Sequence, residues 1–217
     1  MHIDDYVTTL DRALSGPPGP RRDLVGEARD SLIDAAEAYQ AEGVPPTEAE
    51  RLAVEEFGEV AEIAPHYQEE LTASAGRRLG ALLFVTVPLT ALMWWVIWRI
   101  FPMAPTDWAT KPGWFLPAAR ALDILQMISG VTGALALVLL RKGRRPRRVT
   151  RALAYFVGVM LVLTLILSTA LMYGSHGPTG FAAYPPGIAA TVVSWSLAAL
   201  QLYGAARCMS LTRAQRA

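Results

Sequence analysis

Apolar and polar positions alternate at helical spacing through roughly the first third of the chain, and then the alternation stops. Ile3, Tyr6, Val7, Leu10 and Leu14 recur every three or four residues, with Asp4, Asp5, Asp11 and Arg12 on the other faces, which predicts an amphipathic helix. The run Gly16, Pro17, Pro18, Gly19, Pro20 breaks it. A second helix is expected over about residues 21–42, with Leu24, Val25, Ala28, Leu32, Ala35, Ala36 and Tyr39 along one stripe and Gly43 suited to the C′ position. Pro45 and Pro46 separate it from a third helix, expected to open at Thr47 with Glu50 three residues on, a capping-box pattern. Leu52, Ala53 and Phe57 are its core positions, and Gly58 ends it. A fourth segment, residues 59–72, sets Val60, Ile63, Ala64, Tyr67 and Leu71 on one side, with Pro65 expected to kink or restart the helix.

Beyond that point four apolar stretches dominate: residues 79–101, about 118–140, 152–173 and about 187–206. Each approaches the ~20 residues an α-helix needs to cross ~30 Å of hydrocarbon. Backbone amides cannot go unpaired in lipid, so helices are the natural form. A soluble core would require four such helices to cover one another completely in a chain of 217 residues. The expected fold class is therefore all-α: a small cytoplasmic helical domain of three to four helices (1–76) followed by a four-helix transmembrane bundle (77–217).

Charge sharpens this division. The formal net charge of +1 hides a segregation: residues 1–76 carry 17 acids against five arginines, a net of −12, and residues 77–217 carry two acids against 15 basic residues, a net of +13. Seven basic residues and no acid lie between the second and third apolar stretches, and Arg77, Arg78, Arg207, Arg213 and Arg216 flank the first and last. The other two connections hold between them only Asp107 and Lys111. Short loops rich in Lys and Arg stay cytoplasmic, which predicts a multi-pass inner-membrane protein with both termini inside. Trp94, Trp95, Trp98, Trp108 and Trp114 gather at the opposite end of the first hairpin, where an interfacial aromatic belt belongs. The acidic N-terminus lacks the apolar run of a cleavable signal peptide, so the first transmembrane helix is expected to direct insertion.

The N-terminal third resembles the HAAS signalling domain, which overlaps the permease prefix domain found ahead of bacterial transmembrane segments. The residues that carry the resemblance are Tyr6, Leu10 and Leu14; Pro20 to Leu24; the run Glu27, Ala28, Arg29, Asp30, Ser31, Leu32, Ile33, Asp34; and residues 48–58, ending in Phe57-Gly58. Ser31 stands where that family often has a histidine, and Pro65 interrupts its last helix. The resemblance, which covers about residues 3–72, implies a cytoplasmic sensing or interaction module. It also implies a PadR-type winged-helix transcriptional regulator as partner.

Candidate chemistry is sparse. Cys208 is the single cysteine, and His2, His66 and His176 are scattered, so neither a disulfide framework nor a metal-ligand cluster is expected. No phosphate-binding loop, zinc-protease or nucleophile-elbow motif occurs. Ser175 and His176 are adjacent, but neighbouring side chains diverge and no acid lies near to orient the imidazole. The expectation is a protein with no catalytic residues, no metal and no cofactor. Arg99 and Asp123, near the outer ends of their helices, are candidates for an ion pair across the first hairpin, with Arg120 one turn earlier as the other partner open to Asp123, or for a proton or ligand role. Ser129, Gly130, Gly133 and Ala134 form small-x-x-x-small pairs suited to close helix packing, within the bundle or between copies of a homo-oligomer.

Two charged surfaces remain. The basic segment of Arg141, Lys142, Arg144, Arg145, Arg147, Arg148 and Arg151 is expected to fix topology and face anionic lipid, with docking of the acidic domain as a second reading. Direct nucleic-acid binding is disfavoured, because the segment lacks interleaved aromatics and the acidic domain repels phosphate. The acidic face of Glu27, Asp30, Asp34 and Glu37 is the candidate surface for a basic protein partner. These features point to a non-enzymatic membrane regulator, with an accessory subunit of a membrane transporter as the alternative.

Overall fold

A computed structural model describes residues 1–101, 111–143, 145–174 and 184–214. Among these are seven helices and no strand: α1 Ile3–Ala13, α2 Pro18–Ala41, α3 Pro46–Phe57, α4 Val60–Ile100, α5 Phe115–Arg141, α6 Pro146–Gly174 and α7 Pro185–Ala214. They form two compact units, Met1–Ser74 and Ala75–Thr212.

The first unit is built on the predicted stripes. Ile3, Tyr6 and Leu10 of α1, Leu14 just after it, Val25, Ala28, Leu32 and Ala36 of α2, Ala49 and Ala53 of α3 and Leu71 of α4 are all buried in one core. Alanines on α2 and α3 bring those helices close, and Val54 packs where Leu52 was expected. Tyr6 reaches furthest: its ring meets Phe57 edge-on at 5.7 Å, and its hydroxyl donates to the Gly58 carbonyl at 2.9 Å. Gly58 ends α3 at φ 101°, a conformation glycine adopts without steric cost.

Three local expectations fare differently. At the end of α2 the Val44 amide donates to the Tyr39 carbonyl and the Gly43 amide to the Gln40 carbonyl, with Gly43 at φ 93°. That pair of bonds is a Schellman cap, so Gly43 fills the role its position implies. The second helix, however, starts at Pro18 rather than near Arg21, because prolines in a first turn give up amides that would go unpaired anyway. The third starts at Pro46 for the same reason, which places Thr47 inside the helix with no side-chain cap bond. Glu50 instead accepts from the Ile3 amide at 3.5 Å and lies 3.0 Å from His2 Nδ1, closing α1 onto α3.

Pro65 neither breaks nor restarts the fourth helix, which runs from Val60 to Ile100. In its second turn a proline removes one backbone hydrogen bond, and the tertiary contacts of Ile63, Ala64 and Tyr67 hold the helix around it. Gln68 adds a two-point clamp, accepting from the Ser15 amide and donating to the Ser15 carbonyl, each at 2.8 Å.

In the second unit α4 to α7 contribute four helices long and apolar enough to cross a membrane. Their core is narrow, made by Leu79, Leu83, Ala136, Leu153, Ala154, Val157, Ala205 and Cys208. Most apolar surface points outward instead, and only 6% of the apolar window of α6 is buried. Val131, Val159 and Val192 are each more than half exposed, an arrangement that lipid tolerates and water does not.

The small residues of α5 do pack within the bundle. A Cβ on Gly133 would lie 2.9 Å from the Gly80 carbonyl and 2.9 Å from Leu83 Cβ, so α4 and α5 touch backbone to backbone. Two side-chain bonds cross between α4 and α7: Gln201 Nε2 donates to Thr86 Oγ1 at 2.8 Å, and Trp94 Nε1 donates to Ser194 Oγ at 3.1 Å.

Candidate functional site

The acidic face of α2 is formed by its helical register. At about 100° per residue, Glu27, Asp30, Asp34 and Glu37 fall within a stripe roughly 80° wide, opposite the buried Val25, Ala28, Leu32 and Ala36. All four acids are exposed. Asp23, one turn earlier and also exposed, extends the stripe to five carboxylates. Its place four residues before Glu27 is a signal the sequence already carried. Ile33, 37% exposed, borders the same stripe and supplies an apolar contact beside Asp30 and Glu37.

Three of the five arginines of this unit are engaged away from the stripe. Arg29 binds Asp4 at 2.6 Å, Arg21 lies 3.0 Å from Asp11, and Arg51 binds both Glu48 and Glu55 at 2.6 Å. The Arg51 guanidinium holds the Glu48 carboxyl below its ordinary pKa, chiefly through their hydrogen bond. His2 does the same for Glu50. Among the described residues no ion pair reaches Asp23, Glu27, Asp30, Asp34 or Glu37. The stripe is therefore a row of exposed carboxylates with no ion-pair partner among the described residues.

The basic segment is a shorter loop than expected. Arg141 closes α5, and Arg147, Arg148 and Arg151 occupy the first two turns of α6. Arg141, Lys142, Arg145, Arg147 and Arg148 are exposed, Arg151 is half-buried, and Arg144 lies outside the described residues. Arg147, Arg148 and Arg151 add to the positive end of the α6 dipole, while Arg141 and Lys142 complement the negative end of α5.

Arg99 and Asp123 are both exposed, and among the described residues no ion pair joins them. Ser175, His176, Asp107 and Trp108 lie outside the described residues. Among those described, no three His, Cys, Asp or Glu side chains come together as a metal-ligand set.

Comparison with known proteins bears on the unit that carries the acidic stripe. Residues 5–65 match the HAAS family model. The matched segment spans α1 to α3 and the first turns of α4, and so contains the whole stripe from Asp23 to Glu37. The match is to HAAS and does not extend to the permease prefix domain. No curated protein and no solved structure matches the chain.

The first unit owes its shape to contacts that periodicity does not reveal. The Tyr6–Gly58, Gln68–Ser15 and His2–Glu50 bonds each join residues roughly fifty apart in sequence. In the bundle, Gln126, Gln201 and the Trp94–Ser194 pair also escaped sequence reasoning. Their signal was the presence of amide and hydroxyl side chains inside otherwise apolar spans.

Proposed function

We propose that this protein is a non-enzymatic, multi-pass inner-membrane regulator whose HAAS segment faces the cytoplasm and recruits a basic protein partner through α2. The observation that carries this reading is the uncompensated carboxylate stripe, set opposite the core with one exposed isoleucine at its edge. Desolvating a cluster of like charges is costly, so a surface of this kind suits a partner that brings arginines or lysines, aligns by long-range attraction and docks on the apolar edge. The HAAS match supports a protein-binding, regulatory role for the segment. The family resemblance suggests a winged-helix transcriptional regulator of the PadR type as the partner. Such a protein is basic on its DNA-binding surface, so the same stripe would compete with DNA for it.

Four apolar helices support the membrane location, and the arginines at the end of α5 and the start of α6 support a cytoplasmic, anionic-lipid-facing side for that end of the bundle. The test is purification of the full chain from membranes at low salt, alongside the double variant Asp30→Lys, Asp34→Lys. A winged-helix regulator that co-purifies with the parent and is lost from the variant supports the reading. A transport ATPase or permease retained by both replaces it with a transporter accessory.

A further inference from the structure

Midway along the apolar parts of α4 to α7 lies a cavity of about 70 Å³, with walls contributed by all four helices. Its polar lining is Thr90, Gln126, Ser129, Thr164, Ser194 and Gln201, and no charged side chain reaches it. Most of these groups have local partners. Thr90, Ser129 and Ser194 each return their hydroxyl hydrogen to a carbonyl four residues back, at 2.7, 2.9 and 2.8 Å. Gln201 donates to Thr86. The Gln126 carboxamide and the Thr164 hydroxyl make no hydrogen bond to any described residue.

This imbalance has a cost that depends on the solvent. In a water-soluble bundle an amide open to a cavity is trivially hydrated. In hydrocarbon an amide without partners is unfavourable, so an occupant that satisfies Gln126 and Thr164 stabilises the bundle. The lining is neutral throughout, which excludes a charged occupant on desolvation grounds. The carboxamide offers two donors and an acceptor, and Thr164 offers one donor and its lone pairs, so the complement is a molecule that both donates and accepts. At roughly 10–15 Å³ per water by this measure, the space suits a few waters or a solute of a few heavy atoms.

We propose that this cavity is a binding site for a small uncharged molecule that both donates and accepts hydrogen bonds, of the primary-amide class, with water as its occupant otherwise. The proposal rests on the four helices spanning a bilayer. The experiment uses the full chain, labelled with side-chain ¹⁵N-glutamine and reconstituted in lipid vesicles, with acetamide as the probe and solid-state NMR as the readout. Gln126→Leu assigns the Gln126 amide resonance by its disappearance. The expected result is fast transfer of water magnetisation to that amide and a saturable shift on adding acetamide. Thr164→Val should weaken the acetamide response several-fold while leaving the Gln201 resonance in place. Neither water transfer nor a saturable shift would mean a dry seam and overturn the site. Water transfer without saturation would overturn it in favour of a buried water cluster. Release of the protein from the vesicles by alkaline wash would instead sink the bilayer reading itself.

Discussion

Gly133 has no room for a side chain, and the two atoms that exclude one, the Gly80 carbonyl oxygen and Leu83 Cβ, belong to the backbone or lie next to it. Neither can swing aside, so Gly133→Ala must push α4 from α5. The expected loss is about 1–3 kcal/mol, read as a lower thermal midpoint in detergent. Gly130, three residues before Gly133, meets only the Val87 side chain, no nearer than 3.6 Å, and Gly130→Ala should leave the midpoint within experimental scatter. Equal behaviour of the two variants would refute the close contact. Tyr6 provides a second residue-scale test: Tyr6→Phe keeps the ring against Phe57 but strands the Gly58 carbonyl, at a cost of about 1 kcal/mol. The His2 contact with Glu50 adds a pH signature. Because Glu50 titrates below an ordinary carboxyl, its contribution is present above the unfolded value of about 4.3 and is lost as the pH falls through the folded one. Glu50→Gln should therefore melt earlier than the parent near neutral pH and converge with it in acid.

If α2 recruits a basic partner as proposed, stability and recognition pull in opposite directions there. Asp23, Glu27, Asp30, Asp34 and Glu37 are successive like charges three or four residues apart, each such pair unfavourable by roughly 0.2–0.5 kcal/mol. Replacing Asp30 and Asp34 by Asn should leave the first unit as stable or slightly more so, while partner binding falls and loses part of its salt dependence. A melting temperature that dropped together with binding would mean the acids serve the fold instead. The stripe was legible in the sequence because exposed positions on a helix follow its period directly. Gly43 was legible too, since a glycine after an apolar stripe has few other uses. The helix starts were not. Thr47 followed by Glu50 has the spacing of a capping box, but Pro46 is preorganised for the first helical position and Glu50 is drawn to His2, forty-eight residues away. Pro65 misled in the same way: its local penalty is one hydrogen bond, and contacts from distant parts of the chain outweigh it. The mid-bundle cavity was illegible for a related reason, since a lone amide in each of two spans acquires meaning only when four helices bring their amides and hydroxyls together.

For the molecule as a whole, the question is which ends of the four long helices lie on which side of a bilayer. Two features bear on it by different physics, the first on side and the second on depth, since tryptophan marks both interfaces alike. Arginine is expensive to translocate, and Arg141, Arg145, Arg147 and Arg148 are exposed around the junction of α5 and α6. Tryptophan prefers the headgroup layer, and Trp95, Trp98 and Trp114 are exposed at the far ends of α4 and α5. The 17 acids of residues 1–76 argue for the same sidedness only weakly, because acidic charge has little topogenic force. Reporter fusions separate these influences. Alkaline phosphatase, active only outside the cytoplasm, should be inactive when joined after Gly143 and active when joined after Gly174. Replacing Arg141, Arg145, Arg147 and Arg148 with Gln should erode that contrast, whereas replacing Trp95 and Trp98 with Leu should preserve it. If the tryptophan variant lost the contrast and the arginine variant kept it, the helices would be oriented by their interfacial anchors. The basic junction would then be left with the role of an anion-binding surface.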